Sequence, residues 1–226
     1  MQTRSLKVAG VLEFSPLVFR DSRGLFVSPF QRDAFVAATG HELFGVAQTS
    51  FSVSRRGAVR GIHYTRVPPG TAKYVHCPRG RALDMVVDLR LGSPTFGAWD
   101  SVVLDQDDCR ALYLPVGVGH AFAALTDDTI MAYTLSTAYA PENELAVSVH
   151  DPELRLPLPR DVPPLLSERD RAAPTLAEAG ERGLLPDYAR CREAEQALAG
   201  APVPSAGSAK EPGGNSAASP APGATP

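Results

Sequence analysis

Residues 1–150 alternate short apolar stretches with turn-forming residues. LKVAGVLEF, LVF, GLFVSPF, FGVAQTSFSVS, AVRGIHY, KYVHC, ALDMVVDLRLG, GAWDSVVLD, ALYLP, HAFAAL and TIMAYTL all read as strands. Turn residues punctuate them at Asp21-Ser22-Arg23-Gly24, Pro68-Pro69-Gly70, Gly92-Ser93-Pro94 and Asp127-Asp128. Many short strands at this spacing predict an all-β sandwich or barrel, since βαβ units would need helical patterns between them. One short helix, about Asp33 to Ala38, interrupts the series.

The pattern changes after Asp151. Residues 152–174 are rich in proline and leucine and read as an ordered loop wrapped round the β body. Thr175-Leu-Ala-Glu178 is a capping-box pattern, which opens a helix ending near Gly183. A second helix is predicted from about Asp187 to Leu198, with Gly200 beyond its end. One domain over residues 1–200 is therefore expected. Residues 201–226 are almost wholly Ala, Pro, Gly and Ser, with too little apolar bulk to offset ordering entropy, and read as a disordered tail.

Composition narrows the function classes. The 226 residues carry a formal net charge of −3 and no long basic run, which argues against nucleic acid as a partner. No stretch approaches the roughly eighteen apolar residues of a membrane span, and MQTRSLKVAG lacks a signal-peptide apolar region. Cys77, Cys109 and Cys191 are odd in number and widely spaced, as free thiols in a reducing cytoplasm would be. None lies in a CxxC or beside a histidine, so a structural zinc is not expected.

Candidate chemistry concentrates in Arg60–Lys73, RGIHYTRVPPGTAK. His63 falls near the end of one strand, Pro68-Pro69-Gly70 turns the chain, and Lys73 opens the next. A hairpin there would aim a base and a fixed cation at one spot, which suits chemistry on an acidic C–H. Asp84 lies in a strand apolar enough to be buried on both faces, so its carboxylate needs a partner. Asp88 shares that face by spacing, leaving one of the two for a structural role. His120 follows the turn PVGVGH, Tyr133 lies within IMAYTL, and Asp170 sits in the polar segment LLSERDRAAPTL. Each has a bland alternative: a buried Asp bonding a turn, a core Tyr with a wet tip, a surface His. Periodicity alone does not bring them together.

PVGVGH matches P-x-G-x-x-H and looks like the second half of the cupin signature, on a double-sheet jelly roll. The first half reads His63-Tyr-Thr65, lacking the second histidine and the nearby glutamate of metal-binding cupins, so no metal centre is expected. With those residues in place the chain closely resembles the dTDP-4-dehydrorhamnose 3,5-epimerase family from about Leu6 to Tyr188. The motifs are DSRG at 21–24, RGIHY at 60–64, AKYV at 72–75, LDMVVDLRLGSPTFG at 83–97, YLPVGVGHAF at 113–122, YAPENE at 139–144 and LSERD at 166–170. RGIHYT, PPGTAKYV and YLPVGVGHAF are similar to members described as 5-epimerases of dTDP-4-keto-6-deoxyhexoses in deoxyamino-sugar pathways.

The resemblance implies a cupin-like jelly roll with short C-terminal helices and a mechanism without metal or other cofactor. It implies His63 as base, Asp170 holding its imidazole, Lys73 and His120 stabilising an enolate, Asp84 positioning that cationic side, and Tyr133 as the opposite-face acid. It places Arg23, Phe26, Gln48, Arg60 and Tyr139 at the nucleotide of a dTDP-linked 4-keto-6-deoxy sugar. N-terminal strands would cross to a second subunit in a homodimer. Two departures fall on the nucleotide side. Leu25-Phe-Val-Ser28-Pro29-Phe30 lacks the family's usual glutamate, and Ser50 stands where asparagine is common. The rival readings are a sugar-nucleotide 3,4-ketoisomerase and a non-catalytic sugar-nucleotide-binding module. Neither requires the full set of base, carboxylate, lysine and tyrosine.

Overall fold

The computed structural model describes residues 1–199; the expected tail, 201–226, lies outside them. Thirteen strands make two main sheets and one separate hairpin, all paired antiparallel. The six-stranded sheet runs β1 (Gln2–Ser5), β2 (Leu12–Ser15), β10 (Ala111–Leu114), β7 (Lys73–Arg79), β12 (Thr129–Leu135) and β5 (Gln48–Ser54). The five-stranded sheet runs β13 (Glu144–Ala146), β6 (Val59–Thr65), β11 (Val118–Ala124), β8 (Arg81–Asp88) and β9 (Trp99–Asp105). β3 (Val18–Asp21) and β4 (Gly24–Val27) form the hairpin, turned at Ser22-Arg23 as the sequence predicts. This is the all-β, cupin-like jelly roll expected.

The two sheets face each other across an apolar interior. Val75 and Cys77 of β7, Leu112 and Leu114 of β10 and Met131 of β12 meet Ala82 and Val86 of β8 and Val118 and Phe122 of β11. Alternate residues on the same strands are also buried, because both outer faces are covered. On the five-stranded sheet, Ile62, Tyr64, Met85, Val87 and Ala121 pack beneath Val147, Val149, Leu154 and α3 (Leu176–Glu181). On the six-stranded sheet, Phe14, Tyr74, Ala111 and Tyr113 pack beneath α1 (Arg32–Thr39) and α4 (Tyr188–Leu198). Phe35 of α1 stacks on Phe14 at 5.6 Å and meets Tyr113 edge-on at 5.1 Å. Such aromatic pairs contribute about 0.5–1.5 kcal/mol each beyond their burial. A strand covered on both faces reads as a continuous apolar run, which is why LDMVVDL shows no alternation.

The 152–174 segment is held on the body by Asp151. Its two carboxylate oxygens accept the amides of Glu153, Leu154 and, from α3, Leu176. The capping box at Thr175 and Glu178 is present as expected. The segment also contains a helix that the strand-and-loop reading missed, α2 (Glu168–Arg171). Ser167 caps it by accepting the Asp170 amide at 3.1 Å, a Ser-x-x-Asp pattern visible in LSERD. A second correction concerns LKVAGVLEF. Its first part is a tight turn, with the Leu6 amide donating to Val11 and that of Val11 to Val8, which joins β1 before the stretch to β2, where only its LEF end is strand.

The largest correction is at Arg60–Lys73. β6 and β7 are not hairpin partners. β6 pairs with β11 and β13, while β7 pairs with β10 and β12 in the other sheet. The Val67–Gly70 connection carries the chain across the sandwich. His63 and Lys73 therefore enter the interior from opposite walls.

Candidate active site

The site is built around β6. His63 pairs with His120 of β11, and Arg60 pairs with Phe122, so Gly61 and Ile62 on β6 stand against the single Ala121 on β11. This bulge turns both Arg60 and His63 to one face despite their odd spacing. Gly61 makes it sterically feasible. Its φ is +120°, and a Cβ there would stand 2.4 Å from the His120 carbonyl oxygen and 2.6 Å from Ala121.

Two histidine–carboxylate pairs lie side by side on the five-stranded sheet. His63 Nε2–H donates to Asp170 Oδ1 at 2.6 Å. Burial pushes Asp170 up, but the His63 hydrogen bond and charge, with Ser167 and the Gly61 amide, outweigh it and hold its pKa below the usual carboxylate value. His120 Nε2 meets Asp84 Oδ2 at 2.7 Å, with both residues buried. Burial raises the Asp84 pKa, opposed by His120 and by the charge of Lys73. The second oxygen, Oδ1, is buried with no hydrogen-bond partner among the described residues.

The six-stranded sheet supplies the facing wall. Tyr133 of β12 meets the His120 ring edge-on at 6.1 Å. Lys73 begins β7, in register with Leu135 on Tyr133's own strand. Both residues are half-buried and on the inter-sheet face of their strands, Tyr133 packed against the core and Lys73 paired with the core residue Leu114. Burial pushes the Tyr133 phenol well above its usual value. It pulls the Lys73 ammonium down, opposed by the charges of Glu144 and Asp84. Asp88, on Asp84's strand and face, belongs elsewhere. It accepts Arg90, Ser93 and Thr95 and pins the turn after β8.

A cavity of about 270 Å3 opens beside the base, lined by Arg60, His63, Ser167, Arg169 and Asp170 with three apolar neighbours. Arg169 escaped the sequence reading; the signal was its place beside Asp170 in LSERD. A larger cavity, about 310 Å3, lies outside the six-stranded sheet under α4 and contains none of these groups. Arg60 bridges the sheets at the mouth, its Nε donating to Ser54 Oγ of β5 at 3.2 Å. Gln48 is committed at both ends of its amide, accepting the Tyr139 N–H at 2.8 Å and donating to Ser50 Oγ at 2.9 Å. Arg23 and Phe26 stand apart on the separate hairpin. Arg23 pairs with its neighbour Asp21, and Phe26 is 70% exposed. Among the described residues no group of three or more His, Cys, Asp or Glu is arranged to hold a metal ion.

The model of the dTDP-4-dehydrorhamnose 3,5-epimerase family matches residues 5–178. The chain belongs to that family. A dTDP-4-dehydro-6-deoxyglucose 3-epimerase from a Streptomyces species is 48% identical over 86% of this chain and 98% of its own length. A dTDP-4-dehydrorhamnose 3,5-epimerase from Mycolicibacterium smegmatis is also 48% identical, over 85% of this chain and 94% of its own. Among solved structures, NovW superposes with a TM-score of 0.81 at 48% identity, covering 84% of this chain and 95% of its own. It is a 4-keto-6-deoxy sugar epimerase from the novobiocin biosynthetic gene cluster of Streptomyces spheroides. The protein is thus an epimerase of the dTDP-sugar class.

Proposed function

We propose that this epimerase inverts a carbon beside the ketone of a dTDP-linked 4-keto-6-deoxyhexose, using His63 as base and Tyr133 as acid. The observation that carries this reading is their placement, since they enter one interior from opposite sheets. A sugar ring between the walls meets the base on one face and the phenol on the other. Inversion requires that arrangement, and a 3,4-ketoisomerase does not. The C4 ketone acidifies the hydrogens on C3 and C5. Ionised Asp170 holds the Nε2–H tautomer and leaves the Nδ1 lone pair free to take one of them. Lys73 and the Asp84-held His120 face the oxygen on which the enolate charge develops. The resemblance of the motifs pointed to C5; the names of the two 48%-identical relatives add C3.

Arg60 and Arg169 flank the opening by the base, where guanidinium groups suit the diphosphate. Arg23 and Phe26 support a homodimer in which each hairpin serves its neighbour. The hairpin joins neither main sheet, and Phe19 and Phe26 on it, with Leu17 just before it, are exposed. The three cysteines are buried free thiols, which fits a reducing cytoplasm.

The test is NMR of a dTDP-linked 4-keto-6-deoxyhexose with the protein in D2O. Wild type is expected to place deuterium at the inverted carbon, and the label's position separates C3 from C5. His63→Ala is expected to lower exchange by about a hundred- to ten-thousand-fold. Exchange near the wild-type rate in that variant would remove His63 from the role of base.

A further inference from the structure

Tyr133, in the reading above, must surrender a phenolic proton where burial makes the phenolate costly. Two neighbours act the other way, the Ser52 hydroxyl and the Arg60 charge. Both trace to β5. Its inward face carries Ser50, Ser52 and Ser54, a polar stripe on the strand that pairs with β12. Ser50 stands directly opposite Tyr133, and Ser52 is one inward position along, on the diagonal a long aromatic side chain reaches.

The three serines differ in their commitments. Ser50 Oγ accepts from Gln48, and Ser54 Oγ accepts from Arg60 Nε. Ser52 Oγ is fully buried and has no aligned hydrogen bond among the described residues, although it neighbours the Tyr133 phenol closely enough to influence it. A buried hydroxyl left unpaired costs about 1–3 kcal/mol, so such a group calls for a reason. Hydrogen bonds that serve a transition state are often misaligned before the reaction and tighten during it.

We propose that Ser52 is the positioning residue for Tyr133, donating its uncommitted hydroxyl hydrogen to the phenolate oxygen that forms as the substrate carbon is reprotonated. The Tyr133 O–H bond breaks and its electron pair stays on Oη. The proton forms the new C–H bond on the enolate, and no proton leaves Ser52. Solvent returns a proton to Tyr133 and takes one from His63. Ser54 contributes by keeping Arg60 at the same end of the strand pair.

This proposal rests on Tyr133 being the acid, so the experiment carries both variants. Exchange and inversion are followed separately in D2O for wild type, Tyr133→Phe, Ser52→Ala and Ser52→Thr. The phenol is titrated by its ultraviolet difference spectrum against Tyr133→Phe. Ser52→Ala is expected to exchange like wild type, to invert about ten- to a hundredfold more slowly for loss of a donor to a charged oxygen, and to shift the Tyr133 titration upward. Ser52→Thr keeps the hydroxyl and is expected to restore both. Wild-type inversion in Ser52→Ala, or a loss of exchange that matches the loss of inversion, would overturn the Ser52 proposal. Inversion by Tyr133→Phe would instead overturn the acid assignment beneath it.

Discussion

His63, Lys73, His120 and Tyr133 gain their meaning from neighbours that the sequence places far away. Asp170 is over a hundred residues from His63, and Asp84 reaches His120 across two paired strands. Lys73 gives the sharpest consequence at this scale. Burial depresses its pKa, and the charges of Glu144 and Asp84 only partly restore it. A depressed lysine loses its positive charge at lower pH than an ordinary one. If that charge stabilises the enolate, turnover is expected to fall on the alkaline side before the usual lysine range is reached. Glu144→Gln removes one of the two carboxylates holding the charge and is expected to move that limb to still lower pH. Profiles of kcat against pH for wild type and Glu144→Gln check this; coincident profiles would remove Lys73 from the alkaline limb. Most chemical residues were legible as types in motifs. Their partners came only through the family resemblance, because hydrogen bonds between remote strands leave no local period.

At the scale of elements, β6 departs from the alternation that a strand-by-strand reading assumes. Arg60 and His63 are three apart and would fall on opposite faces of a regular strand, yet the bulge gives them one. Gly61 permits it, so Gly61→Ala is a direct probe. The added methyl would strike the backbone of β11, which cannot move aside as a flexible side-chain tip could. Combined with the positive φ, a loss on the order of 1–3 kcal/mol is expected, with exchange activity falling further as His63 leaves His120. Thermal melting and deuterium exchange on the same sample check it; a variant that melts and exchanges like wild type would show that the bulge does not set the base. RGIHY announced a strand with a glycine in it, but not that the glycine marks the bulge.

At the scale of the whole molecule, the described residues leave an apolar edge uncovered. Phe51 and Val53 of β5, an edge strand of the six-stranded sheet, point outward, 72% and 52% exposed. An edge strand in this state is a template for pairing with another chain. Phe51→Asp is expected to convert the proposed dimer to monomer in sedimentation equilibrium and to weaken nucleotide binding, since Arg23 and Phe26 would lose the neighbour they serve. A monomeric wild type, or a variant that still dimerises, would count against the shared site.

The sequence by itself determined the class of fold, the capped helix at Thr175, and the identity of nearly every group at the candidate site. Those features are local: strand length, turn residues, caps and short motifs depend on residues within a few positions. The tertiary structure alone decided that β6 and β7 lie in different sheets. It also decided that Asp88 is the aspartate that holds a turn, and that a missed helix is the element on which Asp170 reaches the His63 the resemblance pairs it with. Strand pairing is chosen by burial of both sheet faces at once, and an apolar run such as LDMVVDL fits either wall of the sandwich equally well. Only the packed molecule selects one, and with it the wall from which each candidate proton-transfer group enters the interior.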